Sequence, residues 1–391
     1  MVTLKLAFKN IIGAGLRTWL NVIILSIAFV AIIFTQGFIE GMGNAIINDM
    51  QEMIYAGGQF WHENYDPQNP LTIDESHGKL PDDLQNLISR GKMVPILITT
   101  GSIYVNGNSQ TIQIKGIQPE QEVLNLPSEE LDIDSDYIPA VIGSRMADKV
   151  NLKKNDLATI RWRDKNGTFD AADIEVAHIM HTSVQAVDIG QIWIPINRLR
   201  NMMEVEREAT MTVLEQGSTA PGIAASAWIY KSPEVLLKDV QNMLETKTAG
   251  SMFMYIVLLA MGLLAIFDTQ VLAIFRRKKE IGTLIALGMT RRQTILLFTL
   301  EGALHGFLGL IVGAIYGIPA FAWIANKGFK LPDMMDQFGF ALSARLYPSF
   351  GLKLVIMTTL LVLGSVTIVS FLPTRKIAKL EPTEALQGRG K

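Results

Sequence analysis

Leu20–Phe38 reads LNVIILSIAFVAIIFTQGF, an apolar run without a charged residue. A bilayer core about 30 Å thick is crossed by a helix of roughly 20 mostly apolar residues, so this run is long enough to span. Three others qualify: Met252–Phe275, Thr294–Ile324 and Gly351–Leu372. Between the first and second lies a long stretch rich in Asp, Glu, Asn, Gly and Pro that contains no such run. The reading is an α-helical membrane protein with four transmembrane helices and an α+β extracytoplasmic domain inserted between helices 1 and 2. Composition agrees: 49% hydrophobic and 18% charged residues are too apolar for an ordinary soluble enzyme and too polar for a chain wholly in lipid. The absence of cysteine excludes a disulfide framework, a thiolate zinc site and a cysteine nucleophile.

Lysine and arginine near helix ends set orientation, because they resist translocation. Lys5, Lys9 and Arg17 precede the first span, Arg276, Arg277, Lys278, Lys279, Arg291 and Arg292 join the second to the third, and Arg375, Lys376 and Lys379 follow the fourth. Four crossings bring all three clusters to one side, which makes both termini and the second–third connection cytoplasmic. Residues 44–248 carry 29 acidic and 17 basic side chains, about −12, whereas the rest of the chain carries about +10; the total of −2 is an average of opposed parts and gives no general affinity for nucleic acid. The expected layout is a cytoplasmic interfacial amphipathic helix over 1–19, helix 1 over 20–43 with an outward stalk to about 55, and the outer domain over 44–248. Helix 2 follows over 249–275, a cytoplasmic coupling segment over 276–293, helix 3 over 294–325, an outer loop over 326–350, helix 4 over 351–373 and a cytoplasmic tail over 374–391. The first run is read as an uncleaved span, since no small-x-small site closes it, the alternative being a signal peptide. Leu4, Phe8, Ile11 and Ile12 share a helical face suited to the inner interface, the alternative being the frayed start of helix 1.

Ala45, Ile46, Asp49, Met50, Met53 and Ile54 continue a helical stripe until Gly57–Gly58, and Pro233 opens a second stripe leading into helix 2. Between them, Val94–Thr100, Ser102–Val105, Thr111–Gly116, Tyr137–Ile142, Leu157–Trp162, Asp173–Ile179 and Gln191–Ile194 read as strands. Asn106–Gly107 and Asn166–Gly167 mark turns, and Ser144–Val150 and Ile196–Arg207 read as helices. No catalytic set emerges. His178 and His181 are expected on opposite faces of one strand, so no metal site is expected.

Gly302, Gly306, Gly309, Gly313 and Gly317 form one stripe along helix 3 that lets a neighbouring helix approach closely, either within the subunit or, as the alternative, to form a substrate groove. Asp268, Glu301 and His305 are ionisable groups within spans and hence functional candidates. Glu301 and His305, four apart, are spaced to pair, and the expected role of the three is interhelical hydrogen bonding or a place near the cytoplasmic interface. No GxxxxGK[ST] phosphate loop occurs, so this chain is expected to bind no nucleotide cofactor.

The segment Leu263–Gly302, LLAIFDTQVLAIFRRKKEIGTLIALGMTRRQTILLFTLEG, resembles the permease region of the FtsX-like, MacB/LolC/LolE class of ABC transporter membrane subunits. Pro373–Gly388 is similar to that family's cytoplasmic ending and Val141–Ile160 to its outer-domain signature. The resemblance implies that Arg276, Arg277, Lys279, Glu280, Ile281, Gly282, Leu284, Ala286, Leu287, Gly288, Met289, Arg291 and Arg292 couple to an ATPase. The interleaved Ile281, Leu284, Ile285, Leu287 and Met289 suit a docking helix; the plainer alternative is that the bases only enforce topology and bind anionic lipid. The resemblance also implies a second permease subunit, two ATP-binding subunits that use ATP and magnesium, and mechanotransmission from ATPase to outer domain in the cytoplasmic (inner) membrane. The chain itself is then a non-catalytic subunit. In lipoprotein-releasing members an acylated substrate enters between the first and second spans and passes to a periplasmic carrier. Asp268 stands where the family commonly has Asn. Lipoprotein extraction is the leading expectation. The others are MacB-like export of a peptide, antibiotic or amphiphile with a periplasmic adaptor, and FtsX-like control of a cell-wall hydrolase.

Overall fold

A computed structural model describes residues 16–328 and 346–375, apart from Asp134, Ser183 and residues 223–226. Most of the expected interfacial helix and cytoplasmic tail, much of the 326–350 loop, and Lys5, Lys9, Lys376 and Lys379 lie outside the described residues.

The chain divides into two compact units, one made of residues 1–42, 245–329 and 347–391, the other of 43–244 and 330–346. The first holds the apolar stretches of four long helices: α1 (Leu16–Met50), α6 (Pro233–Arg276), α8 (Arg291–Lys327) and α9 (Leu352–Thr374). All four are long and apolar enough to cross a membrane. Leu25, Phe29 and Ile32 of α1 are buried with Ile266 of α6 and Val362 and Val366 of α9. The glycine stripe of α8 packs within the subunit. A Cβ at Gly302 would strike Ser370 of α9, and one at Gly306 would lie 3.0 Å from Val366. On the next turns a Cβ at Gly309 would lie 2.9 Å from Leu25 Cβ, and at Gly317 3.0 Å from Val30, both on α1. Polar pairs add registry between helices: Thr358 donates to Gln36 at 2.7 Å, Thr269 to Asn21 at 3.3 Å and Tyr316 to Ser26 at 3.3 Å.

The second unit is built on β-structure. Its strands are β1 (Gln59–His62), β2 (Gly78–Lys79), β3 (Met93–Val105), β4 (Asn108–Ile117), β5 (Ile138–Gly143), β6 (Leu157–Arg163), β7 (Phe169–Met180), β8 (Gln191–Pro195), β9 (Glu208–Ala209), β10 (Met211–Leu214) and β11 (Trp228–Lys231). Short helices α2 (Asp82–Ser89), α3 (Ser144–Val150), α4 (Gln185–Asp188) and α5 (Ile196–Met203) flank them. The main sheet runs β11-β1-β10-β3-β4-β8-β5-β7-β6, and β6 pairs back onto β3, so that the last six strands close into a small barrel. Closure removes the sheet edges there. Alternate residues fill the interior, among them Ile103, Ile114, Ile142, Ile160, Val176 and Ile192, each at most 1% exposed. Each such side chain contributes about 1.5–3 kcal/mol through burial.

Several expectations change here. The two strands read on either side of Gly101 are one strand, β3, which pairs with β10 through Met93–Ile96 and with β6 through Gly101–Tyr104. Gly101 marks the seam, because a Cβ there would lie 2.7 Å from the Arg161 carbonyl oxygen. The helix expected over Ile196–Arg207 ends at Met203: Glu204 turns left-handed (φ 57°), and the Glu204 and Val205 amides donate to the Asn201 and Arg200 carbonyls. This helix stop lacks the usual glycine. Strands β1, β10 and β11 are too short to show a period in sequence, whereas helix α2, absent from the expected elements, does carry one, Leu84, Leu87 and Ile88 at helical spacing. Asn106–Gly107 and Gly167 do make their turns, with φ of 51°, 81° and 85°.

Candidate functional site

The segment between α6 and α8 folds into a short helix, α7 (Lys278–Ala286), and with its two junctions forms an elbow. The α6–α7 junction is a bend that keeps its hydrogen bonds, since the Arg277 amide donates to the Ala273 carbonyl at 3.0 Å and the Ile281 amide to the Arg277 carbonyl at 2.9 Å. At the far end of α7, the Gly288 amide donates to Ile285 and the Met289 amide to Leu284, each at 3.0 Å, with Gly288 at φ 96°. That is a Schellman stop, which needs a residue free of the left-handed penalty. Two residues later Thr290 starts α8 with a capping box: its hydroxyl accepts from the Gln293 amide at 3.3 Å, and the Gln293 side chain accepts from the Thr290 amide at 2.9 Å. The Gly-Met-Thr-Arg-Arg-Gln run thus encodes a tight turn of fixed geometry between two helices.

Arg277 fastens the elbow. Its Nε donates to Glu280 Oε2 at 2.6 Å, its Nη1 to Glu301 at 3.1 and 3.3 Å, and its guanidinium lies 5.0 Å from the Phe298 ring centre. Beneath it, Ile274 of α6, Ile281 of α7 and Phe298 of α8 form a buried cluster flanked by Ile285 and Ile295. Three helices therefore meet at one guanidinium over one apolar plug. Glu301 does not pair with His305 as its spacing suggested. The carboxylate is taken by Arg277, and His305 Nδ1 lies 2.7 Å from the Glu301 backbone carbonyl instead. Asp268 also departs from the interhelical expectation, for it is exposed and has no hydrogen-bond or ion-pair partner among the described residues.

The apolar residues read together as one docking face divide in two. Ile281 is 0% exposed and Ile285 flanks it, so they hold α7 to its own chain, whereas Leu287 is 80% exposed at the tip of the turn. Gly282 is buried; Lys279, Glu280, Ala286, Gly288, Arg276, Arg291 and Arg292 are exposed, and Leu284 and Met289 are intermediate. The outward surface is an apolar tip bordered by bases. Arg291 and Arg292 occupy the first turn of α8, where the helix dipole disfavours cations. Helix stability alone therefore does not account for them.

In the β-rich unit, His178 and His181 line the same cavity of about 780 Å³ and not opposite faces, because β7 ends at Met180 and the alternation ends with it. No group of three metal-capable side chains occurs among the described residues. The outer-domain signature segment has its own lock. Asp188, with its side chain fully buried, accepts from the Arg145 guanidinium at 2.6 Å and from the Arg145 amide at 3.1 Å, fixing the start of α3.

Four long apolar helices, a β-rich domain inserted after the first, and an elbow between the second and third make the architecture of a four-span membrane protein with one large inserted domain. Residues 252–382 match the FtsX-like permease C-terminal family. A macrolide export ATP-binding/permease protein MacB of Neisseria gonorrhoeae is 20% identical over 418 residues, covering 98% of this chain and 60% of that protein. A MacB of Wolinella succinogenes is 26% identical, covering 51% of this chain and 27% of that protein. An uncharacterized ABC transporter permease of Methanocaldococcus jannaschii is 28% identical, covering 40% and 36%. The periplasmic region of MacB from Actinobacillus actinomycetemcomitans overlays 50% of this chain and 98% of that one at 11% identity and a TM-score of 0.33. Residues 252–382 thus carry the FtsX-like permease C-terminal domain, and the chain is similar to MacB-type ABC transporter permeases. It spans between about a quarter and three-fifths of the length of these curated relatives.

Proposed function

We propose that the elbow is the docking point for a separate ABC ATPase, and that its displacement during ATP hydrolysis is relayed along α6 and α1 to the extracytoplasmic domain. The observation that carries this reading is the 80% exposed Leu287 at a turn capped on both sides, on an elbow whose base is fixed by Arg277. An exposed leucine at the apex of a rigid turn costs hydration free energy unless a partner covers it, and the exposed Arg291 and Arg292 beside it suit an acidic rim on that partner. In this reading the elbow and both termini face the cytoplasm, the chain sits in the inner membrane beside a second permease, and the acidic domain lies outside. The cargo is an amphiphile taken from the outer leaflet, a lipoprotein handed to a periplasmic carrier being the form inferred from the permease motif. Export of a macrolide-like or peptide amphiphile through a periplasmic adaptor is a second reading, favoured by the alignment with MacB along 98% of the chain.

The test is reconstitution with the cognate ATPase. Leu287→Asp and Gly288→Pro are expected to abolish ATP-driven transport and ATPase co-purification while membrane insertion is retained; proline cannot take the φ of 96° found at Gly288. Undiminished ATPase binding and transport in both variants would refute the docking assignment. Mass spectrometry of molecules retained by the purified complex then separates the cargoes: triacylated lipoprotein supports extraction, a small amphiphile supports export.

A further inference from the structure

A second cavity, about 490 Å³, opens in the β-rich unit between its sheet, the 50–55 turn and the first residues of α6. That volume is in the range of small-molecule sites. Its wall contains Lys115, placed there by register. On β4, Ile112, Ile114 and Gly116 face the barrel interior, so Lys115 faces the other side, flanked by Ile98 of β3 and Trp193 of β8. That side is otherwise a buried apolar cluster including Ile96, Ile98, Val141, Met211 and Trp193. Lys115 Nζ lies 5.2 Å from the Trp193 ring centre and has no carboxylate partner among the described residues. The acids of the cavity, Asp66 and Asp239, are both exposed, and desolvation alone depresses the Lys115 ammonium to about 8. Trp193, 4% exposed, lines the same cavity, and its indole N–H is buried without an acceptor among the described residues. A cation lacking an anion therefore lines a cavity beside the Trp193 ring, Trp61, Tyr65, Met53 and Met211.

We infer that this cavity binds a single-chain amphiphile with an anionic head group, the head meeting Lys115 and the chain lying against the aromatic and methionine side chains. An oxyanion supplies the counter-charge that Lys115 lacks, and charge-assisted hydrogen bonds are the strong ones. Cation–π contact with Trp193 alone leaves Lys115 charged beside apolar neighbours with no counter-charge. The inference is independent of what docks at the elbow.

The experiment uses the full chain in nanodiscs, with empty nanodiscs subtracted. Binding of 11-(dansylamino)undecanoate is read by fluorescence, and acylation of Lys115 is followed by peptide mass spectrometry. Dodecanoate and dodecyl phosphate are each expected to displace the probe and slow Lys115 acylation, with dodecanol doing neither; whichever anion is tighter identifies a carboxylate or a phosphate head. Lys115→Gln is expected to weaken the probe by roughly tenfold, the size of one lost charge-assisted hydrogen bond. Lys115→Arg is expected to retain it. Equal protection by dodecanol, or undiminished probe affinity in a folded Lys115→Gln protein, would overturn the assignment.

Discussion

Removing the Glu301 carboxylate should loosen the elbow more than removing that of Glu280, although Glu280 is the nearer partner of Arg277. The Arg277–Glu301 pair is 3.1 Å long with side-chain exposures of 24% and 9%, whereas Glu280, at 2.6 Å, is 61% exposed. At an effective dielectric of 20, two charges that far apart attract by about 5 kcal/mol, most of which offsets their desolvation. Breaking a fully buried pair by deleting one partner costs about 3–5 kcal/mol because the other charge is stranded. Arg277 keeps some solvent and keeps Glu280, so the expected cost of Glu301→Gln is lower, about 2 kcal/mol. An exposed pair such as that with Glu280 contributes about 0–1 kcal/mol. Replacing both ends of the inner pair, as Arg277→Met with Glu301→Leu, should be nearly neutral, since it strands no charge over the Ile274–Ile281–Phe298 plug.

The assay is a double-mutant cycle on the full chain in mixed micelles, with unfolding by SDS followed by tryptophan fluorescence. A coupling energy of about 2 kcal/mol between positions 277 and 301 is expected, and one below about 1 kcal/mol between 277 and 280. Strict additivity at 277 and 301, or an equal penalty for Glu280→Gln, would refute the view that Arg277 ties α8 to the α6–α7 bend. In the reconstituted complex, Glu301→Gln should also lower transport per ATP hydrolysed while the ATPase stays bound, because a loosened elbow takes up displacement without passing it on.

Other predictions follow from close contacts and from Lys115. Gly302→Ala drives a methyl group into Ser370, with Gln270 Nε2 3.0 Å away; a loss of about 1–3 kcal/mol is expected, partly restored by Ser370→Gly in the same unfolding assay. Gly101→Val places its Cβ 2.7 Å from the Arg161 carbonyl oxygen and should open the β3–β6 seam, seen as faster amide exchange over Thr159–Trp162 with the helices unaffected. In ligand-free protein the Lys115 amine should acylate with a midpoint near pH 8. Its folded pKa lies below the unfolded value of 10.5, so the unfolded chain holds more protons between those limits and stability rises with pH across that window. Lys115→Met should therefore stabilise the domain at pH 7, with a gain that shrinks as pH climbs through the window; a pH-independent gain would contradict desolvation as the cause.

The residues that could be read one at a time and those that could not differ in how far apart their partners lie. Leu20–Phe38 and the other three runs announce helices because length and apolarity are local properties, and Asn106–Gly107 announces a hairpin for the same reason. The elbow is partly legible: the interleaved Ile281, Leu284, Ile285, Leu287 and Met289 read as a docking helix, while its geometry rests on two interlocking caps, a left-handed Gly288 and a Thr290–Gln293 box. Barrel closure was hidden because the β3–β6 pairing joins Gly101 to Trp162 and leaves a single trace, a glycine that split β3 into two apparent strands. Glu301 was matched to the wrong partner by helical spacing. His305 lies four residues on along the same helix, whereas Arg277 is brought alongside by a bend that two backbone hydrogen bonds bridge and whose sequence has no proline or glycine to announce it. Lys115 shows the converse. A lysine alternating with isoleucines reads as a solvent-facing position on an ordinary strand, and only the outer layer of Met211, Trp193 and Ile98 makes it a charge without a counter-charge. Such a residue costs the domain stability at neutral pH, so the two readouts should separate: the rise of stability between about pH 8 and 10.5 is expected to vanish in both Lys115→Gln and Lys115→Arg, since neither side chain titrates there, whereas probe binding is expected to weaken only in Lys115→Gln.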